Sequence, residues 1–300
     1  MTESHLFKGL SVALATPFTN RGDIDYDAWV RFIEFQIKGG VDHVVVCGTT
    51  GESPTVDDDE YARLVEVAVA TARGRVGVVA GAGTNDTKHS IDRGMIAKDA
   101  GANGLLVVGP YYNKPPQRGL VAHFTAIADS VGLPIIVYNV PPRTNSNMLP
   151  ETAAILAGHP KIAAFKEASG DMNQIQRVIA SVPDHISVLA GDDSMTLPVI
   201  AAGGHGVVSV AGNIFPQRMS MFTHACLQGD WERARDMAIK LLPVFNAMFL
   251  ESNPIPVKAV LAYRSMMENV LRLPLVPLDD KHWPELRSVI DLVDQTIPLP

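Results

Sequence analysis

The chain has only two cysteines, Cys47 and Cys226, among its 300 residues. Two thiols so far apart make no disulfide framework, and their scarcity points to a reducing compartment. Long apolar runs are also missing. No uncharged stretch approaches the length of about 20 residues that a membrane-spanning helix needs. The opening segment, Met1 to Lys8, is short and polar and has no apolar core of a signal peptide. Positive charge is not in excess either. Lys and Arg number 25 against 32 Asp and Glu, a net charge of −7, which argues against a nucleic-acid surface. Several chemical signatures are absent. No HExxH and no paired Cys or His with metal spacing occurs, Gly81-Ala82-Gly83-Thr84 is not GxGxxG, and GxSxG is missing. Zinc hydrolysis, dinucleotide binding and a nucleophile elbow are therefore disfavoured. The expectation is a soluble cytoplasmic protein with no metal, no membrane and no nucleic-acid partner.

What is abundant is apolar residue. Hydrophobic residues make up 47% and charged residues 19%, the balance of a globular chain with a large core. Short apolar runs recur at Leu10–Ala15, His43–Cys47, Val76–Ala80, Gly104–Val108, Pro134–Asn139, Ile162–Glu167, Ser187–Ala190 and Gly206–Val210. They are rich in Val and Ile and apolar at nearly every position, as strands covered on both faces are. The segments between them read as helices. Trp29, Phe32, Ile33 and Ile37 repeat at helical spacing within Asp27–Lys38. Acidic residues open the next helix at Asp57-Asp58-Asp59-Glu60, and Thr87, Pro150, Asp171, Ser194 and Pro216 mark further starts.

Eight strand–helix units predict an α/β fold, a (β/α)8 TIM barrel. A doubly wound open sheet competes, but it places a glycine fingerprint after its first strand. Here that strand runs into Thr16-Pro17-Phe18. The barrel is expected to occupy residues 1–228. Residues 229–300 are expected to form a helical appendage packed on it, with helices over Asp230–Phe249, about Val257–Leu271 and about Asp280–Gln295.

In such a barrel the active site lies at the C-terminal ends of the strands. After the second strand comes Gly48-Thr49-Thr50-Gly51-Glu52-Ser53. Hydroxyls flanked by glycines suit an anion cradle, though a plain turn into a capped helix reads the same. After the fourth comes Gly109-Pro110-Tyr111-Tyr112-Asn113, whose adjacent tyrosines point in different directions. Tyr138 ends the fifth strand, and Arg143 follows as either a carboxylate fork or a surface ion-pair partner. Lys166 ends the sixth. It is either a strand-end lysine reaching water or an amine held dry enough to form a Schiff base. Ile162, Ala164 and Lys166 are expected on one face by strand alternation. Gly191 could admit a substrate to the backbone, with Asp192 and Asp193 as the N-cap and first turn of the next helix. Gly203-Gly204-His205-Gly206 precedes the eighth strand and is assigned a structural role. Cys47 reads as a buried thiol.

Together these motifs resemble the pyruvate-dependent class I aldolases of the dihydrodipicolinate synthase and N-acetylneuraminate lyase superfamily. The matching residues are Gly48-Thr49-Thr50-Gly51-Glu52, Pro110-Tyr111-Tyr112-Asn113, Tyr138-Asn139-Val140-Pro141 and Lys166-Glu167-Ala168-Ser169-Gly170. Gly191-Asp192-Asp193, Gly204-His205-Gly206-Val207, Asn253-Pro254-Ile255-Pro256-Val257-Lys258 and Leu271-Arg272-Leu273-Pro274 extend the match almost end to end. Arg143 favours the synthase branch, in which an arginine at this point holds the carboxylate of aspartate semialdehyde; sialic-acid lyases typically lack it.

The resemblance implies a lyase of lysine and diaminopimelate biosynthesis that needs no cofactor beyond a covalent imine of pyruvate on Lys166. It implies a proton relay of Tyr138, Thr49 and Tyr112, and a pyruvate carboxylate held near Thr49 and Thr50. Arg143 would hold the second substrate, L-aspartate 4-semialdehyde, and Gly191 and Val208 would line the site with carbonyls. The product would be 4-hydroxy-tetrahydrodipicolinate. A homotetramer built as a dimer of dimers is implied, with Tyr112 entering a neighbour's site. Another pyruvate aldolase acting on a sugar acid is the alternative. A catalytically silent barrel is a third reading, disfavoured because Lys166, Tyr138 and Thr49 are all present. Relatives inhibited by lysine typically carry a glutamate where this chain has His89, and often histidines where it has Asp58 and Tyr61. Weak or absent lysine feedback is therefore expected, although Ser53, Asn85 and Tyr111 match.

Overall fold

A computed structural model describes residues 5–299. The strands are β1 Gly9–Ala13, β2 His43–Val46, β3 Gly77–Gly81, β4 Gly104–Val108, β5 Ile135–Asn139, β6 Ile162–Glu167, β7 Ser187–Ala190 and β8 Gly206–Ser209. All pair in parallel and in sequence order, and β8 returns to β1 to close the barrel. The helices are α1 Tyr26–Lys38, α2 Asp58–Ala72, α3 Thr87–Asp99, α4 Gln117–Val131, α5 Pro141–Thr144, α6 Pro150–Ala157, α7 Met172–Ser181, α8 Thr196–Ala201, α9 Pro216–Leu227, α10 Trp231–Ala247, α11 Ile255–Tyr263 and α12 Trp283–Thr296. The eight-stranded barrel and the helical C-terminal region match the reading of the sequence.

Helix starts follow a repeated chemical rule. Asp25, Asp57, Asp86, Asp171 and Asp230 each accept a hydrogen bond from a first-turn N–H, and Asp57 forms a reciprocal capping box with Glu60. An apolar shell between barrel and helices contains Trp29, Phe32, Phe124 and Phe222. A smaller core fills the barrel interior with Phe7, Val45, Val79, Ile136, Ala164, Leu189 and Val208. The strands are buried on both faces, which explains their continuous apolar character. The His205 segment stitches the bottom of the barrel. His205 N–H donates to Val188 O at 2.8 Å, and its own carbonyl accepts from Gly9 N–H at 2.9 Å.

The structure departs from the sequence reading at four points. First, the β5–β6 register shifts, pairing Ile135 with Ile162 but Ile136 with Ala164. This bulge turns Ile162 into the outer shell, while Ala163 and Ala164 pack against the interior. Ile162 therefore does not share a face with Lys166. Second, the helix expected to reach Leu271 ends at Tyr263. Ser265 takes a left-handed φ of 57° there. Third, α10 buries Ala234, Met237, Leu241, Val244 and Phe245, leaving Trp231 and Leu242 about half exposed. Fourth, Asp192 stands at the N-cap of the following turn and Asp193 in its first turn, but no side-chain cap hydrogen bond forms there. Asp193 is buried and reaches the β8 loop, accepting from Val210 N–H at 3.0 Å and Ala211 N–H at 2.8 Å.

Candidate active site

The C-terminal strand ends surround a cavity of about 490 Å³. Its wall includes Thr49, Thr50, Tyr138, Arg143, Lys166, Gly191, Asp192 and, from the region after the barrel, Asn253. Of the eight site residues expected from the sequence, six line this cavity, and Val208 and Tyr112 do not. Val208 lies in the barrel core below the cavity, whose wall takes Val210 instead. Tyr112 does not line it; the side chain is 88% exposed, and the backbone takes a left-handed φ of 73°.

Lys166 projects inward beside Tyr138, its register partner on β5. Its Nζ stands 3.9 Å from the centroid of the Tyr138 ring, and both side chains are buried. Burial pushes the amine down to about 8, and the Arg143 guanidinium adds to that while Asp192 and Asp193 oppose it. A buried ammonium loses hydration that a phenyl face and apolar neighbours cannot restore. A sizeable fraction of the lysine is therefore a free nucleophile near neutral pH. Burial pushes the Tyr138 phenol up to about 12, with Arg143 and the Thr49 hydroxyl pulling the other way. The phenol is accordingly protonated at rest and able to act as an acid.

The β2–α2 loop forms the opposite wall. Gly51 N–H closes on Gly48 O at 3.1 Å and Glu52 N–H on Thr49 O at 3.1 Å. Among the described residues, the N–H groups of Thr49 and Thr50 donate to no protein acceptor. Two free amides at a cavity wall are the donors an anionic carboxylate needs. The Thr50 hydroxyl accepts from Asn253 Nδ2 at 2.9 Å. Sequence reasoning missed Asn253 as a wall residue, because it lies 203 positions from its partner and nothing local marks it. Arg143 sits exposed at the rim, with one Nη 3.5 Å from Asn253 O. Gly191 is required sterically, since an added Cβ would sit 2.4 Å from the Ala168 Cβ. Burial leaves Asp192 above the usual carboxylate range, moderated by Lys166 and Arg143.

A second cavity of about 570 Å³ shares Thr49, Tyr138 and Arg143 with the first. Ser53, Asp58, Asn85, His89, Arg93 and Tyr111 line it. Cys47 also lines it, with its thiol pushed up to about 12 by burial, which leaves it unreactive. Among the described residues no cluster of three or more His, Cys, Asp or Glu side chains could hold a metal, and no helix is long and apolar enough to cross a membrane.

Known proteins resemble this chain in sequence and fold. The chain is 48% identical over 285 residues to a 4-hydroxy-tetrahydrodipicolinate synthase of Geobacter sulfurreducens, covering 95% of this chain and 98% of the relative. It is 49% identical over 302 residues to a protein of the same name from Salinibacter ruber, covering 99% and 100%. The crystal structure of dihydrodipicolinate synthase from Aquifex aeolicus superposes with a TM-score of 0.94 at 42% identity, covering 98% and 100%. The model of the dihydrodipicolinate synthetase family matches residues 6–292, and the chain belongs to that family.

Proposed function

We propose that this chain is a lyase that condenses pyruvate with L-aspartate 4-semialdehyde to give 4-hydroxy-tetrahydrodipicolinate and water, a step of diaminopimelate and lysine biosynthesis. The observation that carries the reading is Lys166, a buried amine at a barrel strand end, set 3.9 Å from the Tyr138 ring and facing two free backbone amides. High identity to the synthases along nearly the whole chain supports the same reaction.

The chemistry follows from these groups. The free amine of Lys166 attacks the ketone carbon of pyruvate, and the carbinolamine loses water to give a protonated imine. The Thr49–Thr50 amides hold the pyruvate carboxylate. The imine draws electrons, so a methyl proton leaves and an enamine forms. Tyr138, linked through Thr49, carries protons to and from these centres. Tyr112 of a neighbouring copy completes the relay. The enamine carbon attacks the aldehyde of the second substrate, whose carboxylate pairs with Arg143. The new alkoxide takes a proton. The substrate's own amine then attacks the imine carbon, closes the ring and releases Lys166. Gly191 leaves room along the wall, and Val208 supports the floor with its backbone carbonyl. No metal or separate cofactor takes part.

The chain works in the cytoplasm as a homotetramer of two dimers. The exposure of Tyr112, outside its own cavity, supports a site completed by a second copy. Residues 1–228 form the catalytic barrel, and residues 229–300 form a helical region packed on it.

The test is reductive trapping. Pyruvate and borohydride should leave an adduct on Lys166 in a peptide map, and its absence would end the proposal. Turnover with aspartate semialdehyde should then exceed turnover with sugar-acid substrates. The opposite preference would reassign the enzyme to another aldolase of the superfamily. Specific activity should fall on dilution as the dimer separates; full activity in a sedimenting monomer would remove Tyr112 from the relay.

A further inference from the structure

We infer that the buried Glu52–Lys258 ion pair is a positioning device, through which the helices after the barrel hold the Thr49–Thr50 loop in place against Lys166. The inference deepens the functional reading above and rests on it. Glu52 closes the β2–α2 loop. Lys258 lies 206 residues away on α11, and its Nζ donates to Glu52 Oε1 at 2.7 Å. The lysine side chain is 0% exposed and the glutamate side chain 1%.

The location is unusual for an ion pair. Removing both charges from water costs much of what their attraction returns, and two apolar residues would hold α11 to the loop at least as tightly. What apolar packing would not supply is direction. Glu52 sits in the left-handed region, with φ 56° and ψ 38°, and makes no side-chain cap bond to the turn it precedes. A non-glycine residue stays there only when its surroundings over-determine it. Here they do. Oε2 accepts the Arg272 N–H at 3.0 Å, the Glu52 N–H closes on Thr49 O, and the Lys258 ammonium lies 4.1 Å from the Phe18 ring centroid. Asn253, at the start of the same helical segment, donates to the Thr50 hydroxyl at 2.9 Å. The two threonines are thus fixed from α11 and its approach at two points. A turn so fixed keeps its free amides aimed at the cavity.

Neither Glu52 nor Lys258 lines that cavity, so they act on substrate only through the loop. Lys258 resembles Lys166 in being pushed down to about 8 by burial, but it has no open path to a ketone. Its full burial, the Phe18 ring and the bond to Glu52 leave it a fixed donor.

The test compares Lys258→Met and Glu52→Gln with Arg218→Met. Arg218, buried on α9, pairs at 2.9 Å with the half-exposed Asp294 of α12, remote from the cavity. Both loop variants should raise KM for pyruvate by about tenfold, with kcat changed much less, because a displaced cradle weakens carboxylate capture. Arg218→Met should lower thermal stability without moving that KM. Amide hydrogen exchange of residues 48–56 should quicken in Glu52→Gln while α10 is unchanged. If Lys258→Met does not fold, Glu52→Gln carries both readouts. Unchanged KM and unchanged exchange in Glu52→Gln would overturn the inference, as would an equal KM rise in Arg218→Met. The exchange measurement needs no turnover, so it stands even if trapping fails and the proposed reaction falls.

Discussion

Asn139 and Glu167 meet on the outside of the barrel wall just as Tyr138 and Lys166 meet on the inside. The pairs are adjacent in register across β5 and β6. Asn139 Nδ2 donates to Glu167 Oε1 at 2.9 Å, and Ser169 N–H donates to the same oxygen at 3.0 Å. Asn139 Oδ1 accepts from Met148 N–H at 3.0 Å, tying the strand to the following loop. Because successive side chains alternate faces, fixing the outer pair fixes where the inner pair points. The register shift at Ile162–Ala163 lies just below this network on the same strand.

Glu167→Ala should therefore harm more than stability. Stranding buried donors costs about 1–3 kcal/mol, which urea denaturation would measure. Adduct formation on Lys166 should slow further than the loss of folded protein explains. A variant that is destabilised yet traps pyruvate at the wild-type rate would show that the register holds without Glu167.

The depressed Lys166 amine sets a pH dependence. Adduct formation should rise through about 8 and level off above it. The stability sign is the reverse of an ordinary lysine. The folded value lies below the unfolded 10.5, so the unfolded chain holds more protons between about 8 and 10.5. Stability should climb over that window, and the burial penalty is complete below it. Lys166→Met should stabilise the protein at pH 7 by about 1–3 kcal/mol, with the gain shrinking as pH rises above 8. A trapping rate still climbing at pH 10 would show that the amine is solvated.

Tyr138→Phe removes the proton carrier and keeps the ring beneath the lysine. The expected loss in kcat is about 100-fold, the size of one acid–base group. Exchange of the pyruvate methyl protons with deuterated solvent should slow in parallel, since it reports enamine formation. Thr49→Val should give a smaller loss in the same assay. Near-normal exchange in Tyr138→Phe would place the relay elsewhere.

The barrel was legible because its strands are buried on both faces, which writes apolar residues at nearly every position. Lys166, Tyr138 and the Gly48 loop were legible because strand order places their ends at one mouth. What escaped was long-range. Asn253, Lys258 and Arg272 reach back more than 200 residues to Thr50 and Glu52, and no local period marks such partners. The β6 bulge escaped because Ile162, Ala163 and Ala164 are all apolar, so the pattern is silent about which face each takes. Asp193 looked like part of a helix start, yet the amides of the β8 loop compete for its carboxylate and win.

Arg143 tests substrate identity. It is exposed and makes one long contact within the chain, to Asn253 O at 3.5 Å, so Arg143→Ala should leave the thermal midpoint unchanged. Losing a charge-assisted fork should raise KM for aspartate semialdehyde by about 10- to 100-fold. Pyruvate trapping should proceed as before. If pyruvate capture is lost as well, the arginine holds the first substrate and the division of roles is wrong.

The second cavity bears on feedback by lysine. A bound lysine needs an open carboxylate for its side-chain ammonium. Asp58 faces His89 Nε2 at 3.7 Å and Arg93 Nε at 3.9 Å, so its charge is already shared. Arg93 is buried, with its guanidinium carbon 4.2 Å from the Tyr61 ring centroid, and a fixed cation there repels another. Asp57 also lines the wall but already accepts from Glu60 N–H at 2.8 Å, and Ser53, Asn85 and Tyr111 are neutral. Titration calorimetry with lysine should show weak or no binding, and turnover should be insensitive to it. His89→Glu places a carboxylate where the cation is missing one, and it should tighten lysine binding several-fold. Tight lysine binding by the unmodified chain would show that Asp58 is free to turn toward the ligand, and that Arg93 does not govern the cavity.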